Sequence, residues 1–286
     1  VFNEARTARI IDIAEKNGLY WLHGISLTGR PGWDADTAEI KGTPIPGRGE
    51  AVLGEMAETL YRFLKKKDLL DRWFQGVMDE PLNNSSKVFH LCVDIVRKAM
   101  PGIPILDATI AREPIVGAVD IWCPTVDKLE RYAPFFAARR DAGDRFFVYT
   151  CLQPAGEYCN RLTDMERLRQ VWLGWAPAKY TEVEGYLHWG GNWFGDESIG
   201  GPWGTFEPFY LAGGLGHIAD YDLDRSGSLP PGDHSITYPG YHGPLSSTRL
   251  EAHRIGYEDL HLLQKLQKAD RKRADALVAM VFRGYK

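Results

Sequence analysis

Apolar residues along this chain recur with two different periods. Some stretches carry apolar positions three and four residues apart, which is the spacing of one face of a helix. These stretches predict helices over residues 3–17, 50–66, 86–99, 126–140 and 164–176. Between them lie short apolar runs, which predict strands over residues 19–26, 73–78, 103–107, 119–123, 145–150 and 184–189.

Strands and helices therefore alternate along the chain, and several strands are continuous apolar runs. This pattern is typical of a parallel sheet that is covered on both faces, and it predicts an α/β fold. None of the six strands is followed by a glycine-rich dinucleotide turn or a phosphate-binding loop. Long loops follow the strands at 27–49, 151–163 and 190–235, whereas the helix-to-strand connections are short. In an α/β barrel, the strand-to-helix loops build the active face.

The end of the chain is predicted to be helical. Thr248 and Glu251 form a capping-box pattern, with Thr248 as the N-cap of a helix that runs to about Gln267. A basic connection and a last short helix follow. We therefore predict a barrel domain over residues 1–268, with a long excursion at 190–235, and a helical tail over residues 269–286.

Composition narrows the possible partners. The 286 residues are 44% hydrophobic and include nine tryptophans, enough for a large core and for aromatic residues in a cleft. A formal charge of −4 favours neither nucleic acid nor an anionic membrane, and no apolar run approaches the length of a membrane span. Scattered histidines give no metal-ligand pair, and no cofactor is expected. The sequence does not determine the cellular compartment, and a secreted or periplasmic location is favoured.

The four cysteines fit no zinc-binding spacing. Cys151 and Cys159 are close enough in sequence for a disulfide within a loop. Buried free thiols are the alternative, and the sequence leaves both open.

The strongest chemical signal is the segment Val77-Met78-Asp79-Glu80-Pro81. Two carboxylates follow an apolar strand, and Pro81 ends the strand because it has no N–H to donate. Such a pair suits general acid–base catalysis, although a solvated acidic turn is the alternative. Its place at a strand end, on the face with the long loops, makes it the best candidate for a catalytic pair.

Other polar and aromatic residues are expected on the same face. Tryptophan and tyrosine beside carboxylates suit a carbohydrate, because an aromatic ring stacks on the C–H face of a sugar. The predicted substrate-binding residues are His23, Asp107, Trp122, Tyr149, Trp189, Asn192 and Trp193. His23 can instead be a buried histidine, Asp107 a cap or an indirect acceptor, and Trp122 and Tyr149 core residues. Trp189 and Trp193 are favoured, because Gly190-Gly191 leaves backbone room beside them.

Several dispersed segments resemble a known family. They are Val77-Met78-Asp79-Glu80-Pro81, Val119-Asp120-Ile121-Trp122-Cys123-Pro124, Val148-Tyr149-Thr150-Cys151, Gly185-Tyr186-Leu187-His188-Trp189, Tyr238-Pro239-Gly240, and Ser247-Thr248-Arg249-Leu250-Glu251 with Arg254-Ile255-Gly256-Tyr257-Glu258-Asp259. Together and in order, they resemble the catalytic domain of glycoside hydrolase family 123 and related domains of unclear function. The resemblance implies a (β/α)8 TIM-type barrel whose fourth strand precedes the acid pair. The six strands then correspond to strands three to eight. The first two βα units and an N-terminal β-sandwich domain are expected to lie outside this chain.

The resemblance also implies a mechanism. It is substrate-assisted retention on a sugar with a 2-acetamido group, an exception to the use of a carboxylate nucleophile. Asp79 would orient the acetamido group, and Glu80, with a raised pKa, would act as general acid and base. The favoured hypothesis is an exo-acting β-N-acetylhexosaminidase, with N-acetylgalactosamine as its sugar. A glycosidase for sugars without an acetamido group and a non-catalytic carbohydrate-binding barrel are the alternatives.

Overall fold

The computed structural model describes residues 2–191, 232–233, 236–238 and 243–286. Its contacts divide the chain into two compact units, Val1–Pro124 and Thr125–Lys286. Most of the excursion predicted at 190–235 lies outside the described residues. Each unit contains parallel strands and helices, so the predicted α/β class is confirmed.

The first unit alternates helices and strands, as the sequence predicts. Its elements are α1 (Glu4–Lys16), β1 (Leu22–Gly24), β2 (Ala38–Ile40), β3 (Thr43–Ile45), α2 (Gly49–Lys66), β4 (Trp73–Gln75), α3 (Ser86–Ala99), β5 (Leu106–Ala108) and β6 (Ile121–Cys123). The apolar faces of α2 and α3 bury residues such as Leu53, Phe63 and Phe89. Both helices lie within one residue of their predicted bounds, because a strong 3.6-residue pattern defines them.

Four strands of the first unit, β1, β4, β5 and β6, are parallel and adjacent in this order. β1 pairs with β4, a bridge joins Gln75 of β4 to Ile105 just before β5, and β5 pairs with β6. Every residue of β4, β5 and β6 is buried, as expected for strands that are covered on both faces.

The loop predicted at 27–49 contains an antiparallel hairpin, β2 with β3. Each of its strands has only three residues, which is too short for an alternating pattern to be recognised in the sequence. Gly29 also bridges to Glu39 of this hairpin, so the loop after β1 is held by backbone hydrogen bonds.

The second unit begins and ends with helices. Its elements are α4 (Val126–Arg131), α5 (Ala133–Asp141), β7 (Arg145–Tyr149), α6 (Arg167–Lys179), β8 (Val183–Leu187), β9 (Thr237–Tyr238), β10 (Leu245–Ser246), α7 (Thr248–Ala269) and α8 (Arg271–Val281). β7 and β8 are parallel, and β9 and β10 form an antiparallel pair.

Two details of the predicted helices are wrong. The helix predicted at 126–140 is divided into α4 and α5, because Pro134 has no N–H to donate and therefore lies in the first turn of a new helix. The N-cap of α7 is Ser247 and not Thr248. The Ser247 hydroxyl accepts a hydrogen bond from Leu250 N at 3.1 Å, whereas Thr248 is already helical.

Within the described residues, neither unit closes its strands into a ring. The structure therefore establishes a mixed α/β fold with parallel strands, and the closed (β/α)8 barrel stays a prediction.

All four cysteines are free thiols, including Cys151 and Cys159. None of the described helices combines the length and the apolar character that crossing a membrane requires.

Two glycines lie where helices α6 and α7 of the second unit pack closely together. A Cβ atom on Gly174 of α6 would lie 2.3 Å from the carbonyl carbon of Gly256 in α7. A Cβ atom on Gly256 would lie 2.3 Å from Val171 O. Because the neighbours are backbone atoms, no side-chain rotation relieves these contacts.

We expect Gly174→Ala to destabilise the second unit. The methyl group would force α6 and α7 apart, and overpacking of this kind costs about 2 kcal/mol. Thermal unfolding followed by far-ultraviolet circular dichroism measures the loss.

Gly54→Ala is the matched control. Gly54 is also helical, but a Cβ atom there would meet only Ile95 Cγ2, at 3.7 Å. Alanine should stabilise α2 by up to about 1 kcal/mol through helix propensity. A Gly174→Ala protein as stable as the parent would show that the two helices do not need this contact.

Candidate active site

The acid pair lies where the parallel ladder of β4 ends. Beyond β4 the chain continues to Met78, which forms a parallel bridge with Thr28. The backbone N–H and the hydroxyl of Thr28 both donate to Val77 O, at 2.9 and 2.7 Å. Asp79 is the first residue beyond this bridge, so the predicted position of the acids at a strand end is confirmed.

The backbone turns sharply at Glu80. Its φ of 48° lies in the left-handed region, which is unfavourable for a residue with a Cβ atom. Along a strand, successive side chains point to opposite faces, and this turn breaks the alternation. Glu80 is half-buried, and its side chain does not follow the direction that a continued strand would give it.

The third carboxylate, Asp107, lies beneath the backbone that leads to the pair. Its side chain is buried in the middle of β5. Its two oxygens lie 3.1 and 2.9 Å from Val77 N, and Oδ2 also accepts from Met78 N at 3.3 Å. Ser26 Oγ donates to Oδ1 at 3.4 Å. A Cβ atom on Gly76 would lie 3.0 Å from Gly24 O, 3.1 Å from Ser26 N and 3.2 Å from Asp107 Oδ1, so a side chain there would be tightly packed.

The carboxyl groups of Asp107 and Asp79 interact electrostatically. Burial raises the pKa of Asp107 well above its usual range, against the backbone hydrogen bonds that lower it, and the charge of Asp79 raises it further. The pKa of the buried Cys123 thiol is raised first by burial and then by the charges of Asp107, Asp79 and Glu80. All three carboxyl groups therefore act electrostatically on the Cys123 thiol.

Asp79 is accessible to solvent, and its pKa is shifted. The residue is exposed to solvent, yet enough protein surrounds the carboxyl group to desolvate it in part, and this raises its pKa. The positive charge of Arg30 acts in the opposite direction. A carboxylate that is accessible and has a raised pKa is a typical functional group of an active site.

Two predicted residues of the first unit, His23 and Trp122, lie within strands β1 and β6 of the sheet. The strand register places His23 opposite Phe74, inside β1, because the extended chain continues to Thr28. The ring of His23 lies against β5, with Nε2 3.2 Å from Leu106 O, and desolvation lowers its pKa. Trp122 has no exposed surface. Its burial favours the alternative that it is a core residue.

The remaining predicted residues belong to the second unit or lie outside the described residues. Tyr149 ends β7 and is buried, which again favours a core role. Trp189 is half-buried, and its indole N–H donates to Asp233 Oδ1 at 3.3 Å. Asn192 and Trp193 lie outside the described residues.

The second unit has a polar cluster that the sequence did not predict. Arg161 is fully buried, and its guanidinium donates to His188 Nε2 at 2.7 Å and to the Tyr186 hydroxyl at 3.1 Å. Asp233 Oδ1 lies 3.7 Å from Arg161 Nη2. Burial raises the pKa of Asp233 to about 6. Arg161 and Asp233 lie in predicted loops, where no periodic pattern marks a buried charge. The cluster gives Trp189 a fixed hydrogen-bond partner.

Arg30 and Trp33 are further neighbours of the acid pair that the sequence did not single out. Arg30 Nη2 donates to Asp79 O at 3.4 Å, and its guanidinium carbon lies 4.6 Å from the centroid of the Trp33 ring. The available signal was an arginine and a tryptophan in the long loop after β1. Within the described ranges, no three histidine, cysteine or acidic side chains come together as a metal site.

A solved structure has the same fold along nearly the whole chain. It is a family 123 glycoside hydrolase from Clostridium perfringens, whose structural analysis concerns glycolipid glycan hydrolysis. This chain is 14% identical to it, with a TM-score of 0.67, and the alignment covers 99% of this chain and 49% of that one. The chain thus spans about half the length of that enzyme. A GH10 xylanase from Thermobacillus composti aligns with a TM-score of only 0.42 and 13% identity, over 66% of this chain and 70% of that one.

The sequence itself matches a family model. No curated protein matches the sequence at a significant level. The model described as "Glycoside hydrolase 123, catalytic domain" matches residues 32–266, which is most of the chain. This span includes the acid pair and most of each unit. The chain therefore belongs to glycoside hydrolase family 123, and it carries that family's catalytic domain.

Proposed function

We propose that this chain is the catalytic part of an exo-acting, retaining β-N-acetylhexosaminidase with N-acetylgalactosamine as its sugar. One observation carries the proposal. Asp79 and Glu80 follow a strand end directly, and the backbone before them is held by a buried third carboxylate, Asp107. Adjacent acids are poorly placed to flank a water molecule as an inverting pair does, which favours retention.

Asp79 is proposed to orient the acetamido group. Its carboxylate accepts a hydrogen bond from the acetamido N–H, and this turns the carbonyl oxygen toward the anomeric carbon. That oxygen forms a bond to the anomeric carbon as the glycosidic bond breaks. The resulting oxazoline-like ring carries positive charge, which the nearby carboxylate stabilises. The exposure of Asp79 supports this role, because the group must touch the substrate.

Glu80 is proposed to move the proton. It protonates the glycosidic oxygen as the leaving group departs, and it then deprotonates the water that opens the oxazoline ring. The left-handed backbone at Glu80 supports this division of roles. It gives two consecutive side chains directions that a regular strand does not allow.

Asp107 is proposed to act through the backbone and not on the sugar. Both of its oxygens are engaged by donors from Ser26, Val77 and Met78, and its side chain is buried. We assign it the role of a positioning residue, which holds the segment that ends in Asp79. This assignment replaces the substrate contact expected from the sequence.

Replacing Glu80 by glutamine should lower kcat by about a hundredfold or more, because general acid–base catalysis contributes on that scale. Hydrolysis of nitrophenyl N-acetyl-β-galactosaminide by the full-length protein measures the effect. The loss should be larger for a disaccharide, because a sugar leaves less readily than nitrophenol and needs the proton more. Glu58→Gln, at an exposed position on α2, is the control.

Two results would contradict the proposed mechanism. Hydrolysis by Glu80→Gln at the parent rate would remove Glu80 from catalysis. Failure of a thiazoline mimic of the intermediate to inhibit the parent would argue against the acetamido mechanism. In that case, cleavage of sugars without an acetamido group identifies a different glycosidase. Glycan binding that survives the loss of both acids identifies a non-catalytic barrel.

The fall of kcat/KM at low pH, which is the acid limb of the pH–rate profile, should reflect the protonation of Asp79. Asp79 must be ionised to hold the acetamido N–H, and desolvation raises its pKa, so activity should fall at a higher pH than for an ordinary carboxyl group. Arg30 lowers that pKa. Replacing Arg30 by glutamine should therefore move the acid limb to higher pH, and a pH–rate profile measures the shift.

The control for this change is Arg48→Gln, because Arg48 is an exposed residue of the same unit and carries the same charge. It should leave the acid limb in place. The charges of Glu80 and Asp107 also lie near Asp79, so the profile is compared between proteins that differ only at the arginine. An acid limb that stays at its position in Arg30→Gln would show that it reports another group.

Replacing Asp107 by alanine should lower both stability and kcat. The N–H groups of Val77 and Met78 would be buried without acceptors, at a cost of about 1–3 kcal/mol each. Asparagine should restore much of both, because its oxygen can accept from these two N–H groups while its amide donates to Ser26 Oγ. Urea unfolding and kcat, measured on each variant, test this order.

The Asp120→Ala variant distinguishes a positioning role of Asp107 in catalysis from a contribution to stability alone. Asp120 Oδ2 also accepts from a backbone N–H, that of Ile105 at 2.8 Å. Ile105 precedes β5, whereas the N–H groups held by Asp107 follow β4 and lead to the acid pair. This variant should lose stability and keep its kcat. If folded Asp107→Ala has the kcat of the parent, Asp107 is a structural residue only.

A further inference from the structure

Trp33 is an exposed aromatic residue beside the acid pair. It lies in the loop between β1 and β2, and 55% of its surface is accessible. Arg30 joins it to the catalytic segment, with one contact to the indole ring and one to Asp79 O. The guanidinium lies over one face of the ring, and the exposed surface of the indole is available to another partner.

The loop that carries Trp33 is held in place on both sides. The Asn84 side chain, which follows the acid pair, donates to Asp34 O at 2.8 Å. Gly29 and Glu39 exchange two backbone hydrogen bonds, at 3.0 and 2.8 Å. The indole is therefore presented by an ordered loop, and a ligand would not have to order that loop on binding.

We infer that Trp33 is the stacking platform for the sugar on the leaving-group side of the scissile bond, supported from behind by Arg30. This inference rests on the proposed function. An exo-acting enzyme has its reacting sugar at the end of the glycan, so a sugar contact beside the acids serves the next residue. The platform favours a leaving group that carries a ring, because a smaller leaving group does not reach the indole.

The test compares two substrates that share N-acetyl-β-galactosamine and differ in the leaving group. One is the glycosyl fluoride, whose leaving atom is too small to contact Trp33. The other is a disaccharide with a second sugar at that position. A nitrophenyl glycoside is unsuitable here, because its own ring can stack on the indole.

Replacing Trp33 by alanine should lower kcat/KM for the disaccharide about tenfold, in line with the loss of one aromatic contact. The same variant should leave kcat/KM for the fluoride unchanged. Trp33→Phe should recover most of the activity on the disaccharide, because it keeps an aromatic face. Equal losses on both substrates would place Trp33 at the reacting sugar and overturn the inference, as would no loss on either.

Trp21→Ala is the matched control. Trp21 is 54% exposed in the same unit, but it stacks on Phe74 and precedes β1, at the end of the strand away from the acids. This variant should leave both kcat/KM values unchanged. An equal loss on the disaccharide in Trp21→Ala would overturn the inference.

A failure of the proposed glycosidase activity can be distinguished from a failure of the inference about Trp33. In that case the parent would cleave neither substrate. Calorimetric titration of the disaccharide into the parent, Trp33→Ala and Trp21→Ala then tests the platform alone. Weaker binding only in Trp33→Ala supports it, and equal binding by all three proteins overturns it.

Discussion

The buried carboxylate of Asp107 is the interaction on which the first unit's site depends. A carboxylate removed from water is costly unless hydrogen-bond donors surround it. Here the donors are the backbone N–H groups of Val77 and Met78 and the hydroxyl of Ser26. Since those N–H groups lie directly before the acid pair, satisfying the charge also fixes the direction from which the pair leaves the sheet. Gly76 makes the close approach possible.

The same arrangement brings like charges together. Asp107 and Asp79 each carry a raised pKa, and the charge of Asp79 raises that of Asp107. Burial raises the pKa of Asp79 and the charge of Arg30 lowers it, and the Arg30 guanidinium also lies against Trp33. One arginine thus connects the electrostatics of the acid pair with the aromatic surface beside it. A change at Arg30 is therefore expected to alter both the ionisation of Asp79 and the support of the Trp33 ring.

The local sequence pattern was sufficient to predict features that depend on a single helix or strand. The helix α3 was predicted at its observed bounds, and the strand before the acids was recognised from its apolar run. The hairpin β2–β3 was missed, because three-residue strands show no period. Trp122 and Tyr149 have the composition of a sugar site, but burial in the core explains them better.

The sequence by itself determined that two acids follow a buried parallel strand, and the family to which such a segment belongs. Periodicity encodes which face of an element is buried, so these features are local. Only the tertiary structure decided which groups meet the acids. Asp107 reaches Val77 across 30 positions of the chain, and Arg30 reaches Asp79 across 49. Such contacts depend on strand register and on loop geometry, which no local pattern contains.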